Sequence, residues 1–190
     1  MLGECCRGIF QLGQTVYTYF QGWRDQGIWE GINRELRQWV RLRQNRPSSA
    51  SAAIIETQSV KTGSLTKIAS GFDGGKKVKG RKRHILVDTW GGVVMVVVTA
   101  AHVSDPAGAG QLFKKLQPQR RRLQRLVLIW ADGAYRGQDF LKWVFHTYRW
   151  IIEVVLRQDQ QPEFRVVPKR WVVERTLGWL HSLSAFEQRL

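Results

Sequence analysis

Between residues 15 and 44 the apolar side chains Val16, Tyr19, Phe20, Trp23, Ile28, Ile32, Leu36, Trp39 and Val40 recur at intervals of mostly three and four. That is the spacing of one buried helical face. Gly27 interrupts the pattern, so two helices are expected. A short polar linker follows, Arg46-Pro47-Ser48-Ser49-Ala50-Ser51, and it marks the best domain boundary. Beyond it the pattern turns to strands. Ala53-Ile54-Ile55 leads into Glu56-Thr57-Gln58-Ser59-Val60. Residues 61–81, rich in Gly and Lys, predict a mobile loop or hairpin lead-in, and His84 to Asp88 a second strand. Trp90-Gly91-Gly92 reads as a turn. Val93 to Ala101 predicts a third strand, β-branched enough to sit centrally in a sheet. A helix from Pro106 to about Leu116 comes next, then a strand over 126–130 that delivers Ala131-Asp132-Gly133. A helix near 137–147, a strand over 150–156, a short extended piece at 164–167 and a last helix from Trp171 to about Leu183 complete the chain. Together these elements describe an α/β protein, a mixed sheet covered by helices.

Composition narrows the class. The chain has 190 residues, 43% apolar and 24% charged, which suits a globular protein of about one domain rather than a disordered chain or a fibre. No apolar run approaches the roughly 20 residues of a membrane span. The N-terminus lacks the basic start and apolar core of a secretory signal. Cys5 and Cys6 are the only cysteines. A disulfide framework or a Cys-based zinc cage is thereby excluded, and a reducing, cytoplasmic compartment is expected.

Charge changes the picture more. Thirty Lys and Arg oppose fifteen Asp and Glu, a net +15. Residues 1–60 carry seven basic and five acidic side chains (net +2), and residues 61–190 carry twenty-three and ten (net +13). Such an excess implies a polyanionic partner, because each phosphate neutralised releases condensed counterions. An anionic membrane would want a basic amphipathic helix or a lipidation signal, and neither is evident.

Three carboxylates stand where catalysis would want them. Glu56 follows a strand-like apolar run, Asp132 ends another, and Glu174 lies on the last helix. A sheet that aims two strand ends at one spot, crossed by a helix, can gather three such oxygens, and oxygen-rich sites favour Mg²⁺ or Mn²⁺ over zinc. Spacing alone leaves this weak, since carboxylates at strand ends are common.

Four stretches carry more information: Gln58-Ser59-Val60-Lys61-Thr62; Gly71 to Thr89 (GFDGGKKVKGRKRHILVDT); Trp130-Ala131-Asp132-Gly133-Ala134-Tyr135-Arg136-Gly137; and Pro168 to Leu180 (PKRWVVERTLGWL). They resemble bacterial insertion-sequence transposases of the DDE type, in the branch of insertion sequences four and five, and the likeness runs from about Gln14 to Leu183. The resemblance implies a ribonuclease H-like fold and two divalent ions, Mg²⁺ or Mn²⁺. It implies strand cleavage and strand transfer on double-stranded DNA, at element ends and target, by a homo-oligomer in the bacterial nucleoid. The second and third family acids fall on Asp132 and Glu174. The first falls on Glu56, where the family has Asp-Ser and this chain has Glu56-Thr57. Glutamate is one methylene longer, and Mg²⁺ demands near-ideal octahedral geometry. Members usually begin tens of residues earlier and continue past the last helix, with several arginines near the end of the catalytic helix where this chain has His181-Ser182-Leu183. The resemblance therefore implies a chain truncated at both ends. Residues 1–46 are expected to be a remnant of a DNA-binding region and residues 52–190 the catalytic domain.

Remaining features fall around that reading. Lys76, Lys77, Lys79, Arg81, Lys82 and Arg83 put six basic residues in eight, interleaved with Gly80, which favours phosphate contact over a merely solvated run. Arg136 and Arg175 lie in the family-like stretches and join the expected nucleic-acid contacts. So does Arg170, which shares a helical face with Glu174 and His181. Lys114-Lys115 and Arg120-Arg121-Arg122 with Arg125 form a second patch, equally explained as a soluble face. His84 and His102 are expected to be structural. Asp88 is expected to cap the turn that follows it, and Asp73 and Asp88 are set aside as substitute ligands. Trp23, Trp29, Trp39, Trp171 and Trp179 lie in apolar helical segments, so core packing is expected of them, while Trp130 precedes Asp132 by two and lies on its side of the strand. A catalytically inactive remnant that only binds DNA is the alternative. An RNA-binding accessory protein rests on charge alone.

Overall fold

The computed structural model describes residues 13–61, 70–156 and 170–187, and the side chains of 15–61, 70–156 and 171–179. The expected extended piece at 164–167 and the side chains of Arg170 and His181 lie outside these. The chain divides into two compact units, Met1–Ser48 and Ser49–Leu190.

The first unit holds the two expected helices, α1 (Gly13–Asp25) and α2 (Ile28–Arg43). Gly27 between them has φ +69°, a left-handed conformation that glycine takes without strain. The apolar face does not behave as the spacing predicts. Val16, Tyr19, Phe20, Ile32, Leu36, Trp39 and Val40 are all exposed, because two helices alone cannot cover so wide a stripe. Trp23 and Trp29 pack on each other at 5.2 Å between ring centres yet stay open to solvent on their outer sides. Periodicity reports amphipathicity; it does not report a partner.

The second unit is the mixed α/β sheet. Its strands are β1 (Ala52–Lys61), β2 (Gly71–Asp73), β3 (Val78–Asp88), β4 (Val93–Ala100), β5 (Leu128–Ala131) and β6 (Ile151–Val154). Across the sheet they run β4-β3-β1-β5-β6, with the short β2 beside β4 along the same edge of β3. β3 is antiparallel to β1 and β4, whereas β5 and β6 are parallel to β1 and to each other. This order, with helices on both faces, is the ribonuclease H-like arrangement. The helices are α3 (Asp105–Leu116), α4 (Gln138–Tyr148) and α5 (Arg170–Glu187).

Two expectations are corrected here. β3 begins at Val78, so most of the basic run is strand rather than loop. Among the described residues β4 pairs with β3 alone and is an edge strand, with only Met95 and Thr99 buried. Its valines suit either position, and sequence could not choose between them.

Each face of the sheet has its own core. Ile55, Leu86, Ile129 and Ala131 pack with Leu112, Phe113 and Leu116 of α3 and Val144 and Tyr148 of α4. On the other face Ile54, Ile85, Val87 and Trp130 pack with Val172, Val173 and Leu177 of α5. The turn after β3 is closed as predicted, with the backbone N–H groups of Trp90 and Gly92 both donating to Asp88 Oδ1 at 2.9 Å. No helix among the described residues is long and apolar enough to cross a membrane.

Candidate active site

The pairing of β1 with β5 sets Ala52 beside Leu128, Ala53 beside Ile129 and Ile54 beside Trp130. Two residues further along each chain stand Glu56 and Asp132. Side chains two apart share a face of a strand. Ile54 and Trp130 lie in the core beneath α5, so Glu56 and Asp132 project from that same face, beyond the core's edge. Both are half-buried. Asp132 keeps an extended backbone and caps the short 3₁₀ turn Gly133–Tyr135, its Oδ1 accepting from the Ala134 N–H at 3.0 Å.

Glu174 is exposed on α5, whose buried stripe is Val172, Val173, Thr176 and Leu177. At 100° per residue, Glu174 lies past the Leu177 edge of that stripe and Arg175 past the Val172 edge. Arg175 and Thr176 fasten their flank to the turn after β3, donating to the carbonyls of Trp90 (2.8 Å) and Gly91 (3.0 Å). Glu174 is on the other flank. The register thus sets Glu56 and Asp132 at matching positions on one face of the sheet, and Glu174 is exposed on α5. Among the described residues no group of three or more His, Cys, Asp or Glu side chains could hold a metal ion. The three candidates are all carboxylates, hard oxygen donors whose chemistry fits Mg²⁺ or Mn²⁺ and not a softer metal.

Beneath the pair runs a buried polar chain that sequence reasoning missed. Tyr135, at the end of the turn that Asp132 caps, has its hydroxyl 2.8 Å from Thr57 Oγ1. Thr57, next to Glu56, is 2.9 Å from His84 Nδ1, and His84 Nε2 is 2.9 Å from Thr99 Oγ1. Thr99 donates to the Ala100 carbonyl at 3.2 Å. One proton arrangement satisfies every member: Tyr135 donates to Thr57, Thr57 to Nδ1, and Nε2–H to Thr99. The imidazole is therefore neutral. Burial lowers its pKa to about 4, opposed by the nearby Asp105 carboxylate and assisted by the Lys82 and Lys76 ammoniums. Burial likewise pushes the Tyr135 phenol up. His84 is structural, as expected, and the chain ties the strand of Glu56 to the turn of Asp132. The signal lay in Thr57 and Tyr135, each next to or near a candidate acid, but neither residue type alone predicts a partner.

The basic run is sorted by the pleat of β3. Glu56 pairs with Ile85, Gln58 with Arg83 and Val60 with Arg81. Arg83, Arg81 and Lys79 therefore continue the face that carries Glu56, with Lys79 exposed and the two arginines half-buried. Lys82 points the other way and departs from the expected phosphate contact. It is buried, 2.9 Å from Asp105 Oδ1 and 3.6 Å from Asp73 Oδ2. Asp73 also accepts from Ser59 Oγ at 2.5 Å and from the backbone of Gly75 and Lys76. Its pKa is lowered to about 2, first by the Ser59 bond and against the cost of burial. Lys76 and Lys77 are exposed in the turn before β3, and Lys76 Nζ donates to the Thr57 carbonyl at 3.0 Å. Arg136 is exposed just past the 3₁₀ turn. Arg175 lies between the rings of Trp171 (4.8 Å) and Trp179 (4.9 Å). Those two tryptophans are exposed, against the expected core packing, and Trp39 of α2 likewise. Trp130 is buried and donates to Glu153 Oε2 at 2.8 Å.

Residues 47–190 match the family model of the transposase DDE domain. The chain belongs to that family. A relative from Burkholderia cepacia, described as a putative transposase for insertion sequence element IS402, is 30% identical over 114 residues. The match covers 58% of this chain and 53% of the relative, so the chain spans about half of that relative's length. The DDE transposase family generally uses divalent metal ions.

Proposed function

We propose that the unit from Ser49 onward catalyses metal-dependent cleavage and strand transfer of double-stranded DNA at insertion-sequence ends, with Glu56, Asp132 and Glu174 as the acidic triad. The observation that carries this reading is the parallel register of β1 and β5, which pairs Ile54 with Trp130 two residues before Glu56 and Asp132, within a transposase DDE domain. Glu174 fits as third member because α5 packs on the sheet face that carries Glu56 and Asp132, and Arg175 and Thr176 fasten the flank opposite Glu174 to the turn after β3. The carboxylates would hold two Mg²⁺ or Mn²⁺ ions, which when bound supply Lewis-acid activation of the nucleophile and charge neutralisation at the phosphodiester.

The chain's own residues do the rest. Lys79, Arg81 and Arg83 hold the DNA backbone along the face that begins at Glu56, with Lys76, Lys77, Arg136 and Arg170 as outlying phosphate contacts. The Tyr135–Thr57–His84–Thr99 chain fixes the spacing of Glu56 and Asp132. In cleavage a water oxygen bonds to phosphorus and the 3′-oxygen leaves with the electron pair. In transfer the oxygen of that 3′-hydroxyl, giving up its proton, bonds to a target phosphorus, and the target strand's own 3′-oxygen leaves with the electron pair. The protein acts on DNA as a homo-oligomer, in the bacterial nucleoid.

A second reading has its own observations. Glu56 stands where the resemblance implies aspartate, and among the described residues no three acidic side chains are gathered into a group that could hold a metal ion. A DNA-binding protein without cleavage activity would look like this. Cleavage of a duplex carrying an element end, with and without Mg²⁺, separates the readings. Activity in the wild type that is lost in Glu56→Gln and Asp132→Asn supports catalysis, and a gain in Glu56→Asp marks a detuned site. Absence of cleavage in the wild type and in Glu56→Asp, with salt-sensitive DNA binding retained, makes the non-catalytic reading the correct one.

A further inference from the structure

At the end of the sheet remote from Asp132 lies a concavity of about 620 Å³. It is bounded by Arg120, Arg121 and Gln124 of the segment after α3, by Val127 just before β5, and by Arg149 and Trp150 just before β6. β5 runs from here to Asp132, so the two places are separated by the strand's length, about 13 Å at roughly 3.3 Å per residue. A ligand in the concavity does not belong to the carboxylate site.

Three arginines converge on it with no acidic residue in its lining, and Arg122 and Arg125 are exposed on the same segment. The segment is held in place. Ser49 donates to the Arg122 carbonyl at 3.1 Å, and Arg120 reaches the carbonyls of Thr147 and Tyr148 at the end of α4. The floor is rigid too, with the rings of Tyr148 and Trp150 stacked at 4.9 Å. Arg149 is the most telling member. It ends α4 in a left-handed conformation (φ 60°, ψ 28°), a place where glycine is usual. Its guanidinium lies 5.8 Å from the centre of the Phe145 ring, at the end of α4, and adds a third positive charge to the lining.

We propose that this concavity is a second DNA-binding site, which grips the phosphate backbone of a duplex segment other than the one at the carboxylates. Guanidinium forks suit phosphate oxygens, and their contacts carry no base information. The site would read no sequence and would serve to hold a second stretch of DNA. The inference rests on DNA being the partner, as proposed above, but not on the roles of Glu56, Asp132 or Glu174.

The test uses the full chain and a 30-base-pair duplex of arbitrary sequence, with binding measured by fluorescence anisotropy over a series of salt concentrations. The site variant is Arg121→Gln with Arg149→Gly, and the comparator is Lys79→Gln with Arg83→Gln on the sheet face. Expected is a loss of about tenfold in affinity for the site variant, with a salt slope shallower by about 2 because two phosphates are no longer neutralised. Arg149→Gly alone should leave the melting temperature unchanged or higher, so weaker binding cannot be laid to misfolding. A photo-crosslinking amino acid introduced in place of Gln124 should capture the duplex even in the comparator background. Unchanged affinity and slope in the site variant, alongside weakened binding in the comparator, would overturn the second site and leave the proposed function standing. No duplex binding by the wild type would overturn both. Preferential capture of single-stranded RNA at Gln124 would overturn the DNA assignment.

Discussion

Single residues in this protein are constrained most tightly around His84. A Cβ on Gly108 would fall 2.1 Å from the imidazole ring, so α3 can approach β3 only because that position has no side chain. Gly108→Ala must displace a buried, doubly bonded ring, and we expect a loss of several kcal/mol, on the order of the larger overpacking penalties, read as a large fall in the thermal midpoint. The same histidine sets a pH dependence. In the folded protein its pKa is about 4 against 6.5 in its unperturbed state. Between those values the unfolded chain binds the additional proton, so stability is full above about pH 6.5 and falls as the pH drops toward 4. The slope contributed is at most about 1.4 kcal/mol per pH unit, the linkage of one proton. Urea denaturation at a series of pH values should show this slope in the wild type, and His84→Gln should flatten it whatever its effect on the absolute stability. An unchanged slope in the variant would place the titration elsewhere.

At the level of elements, the pairing pattern decides which backbone is secure. β1 and β3 each have partners on both sides, whereas among the described residues β4 has only β3. Hydrogen exchange should therefore protect the amides of Ile54, Ile55, Ile85 and Leu86 longest, with those on the open side of β4 exchanging far sooner. The valine run of β4 could not announce this, because β-branched residues fit an edge and a centre alike. The end of β5 that carries Asp132 was legible, since an apolar run followed by an acid shows both the strand and where it stops, whereas Glu56 lies inside β1, which runs on to Lys61. The alternation of β3 was legible too in principle: Lys79, Arg81 and Arg83 on one side, Lys82 on the other. It was hidden because a dense basic run reads as loop, and because the partners of Lys82 lie at Asp73 and Asp105. Pairings across such separations depend on how the strands align and leave no local trace. The exposed tryptophans of α1, α2 and α5 were misjudged for a related reason, since burial depends on what lies opposite a helix.

For the whole molecule the central quantity is charge, and the fold divides it unequally. The chain carries +15, but a basic side chain contributes to DNA binding only where its head group meets solvent. Lys82 does not: its ammonium sits between two carboxylates in a buried cluster that also draws in Ser59. Arg83, one residue on, faces the side of the sheet that carries Glu56. Neighbours in sequence, equal in formal charge, should then fail in opposite ways. Lys82→Met strands Asp73 and Asp105 without their counter-charge, and removing one partner of a buried pair costs about 3–5 kcal/mol. Its thermal midpoint should fall steeply, while DNA affinity, measured well below that midpoint, stays close to the wild type. Arg83→Gln removes a head group from an open face and should leave the midpoint nearly unchanged. Its DNA affinity should drop several-fold at low salt, with a salt slope shallower by about 0.9, since one phosphate fewer is neutralised. If instead the two substitutions weakened DNA binding equally and spared stability, the basic run would act as an unstructured polycation, and the pleat of β3 would have no part in recognition.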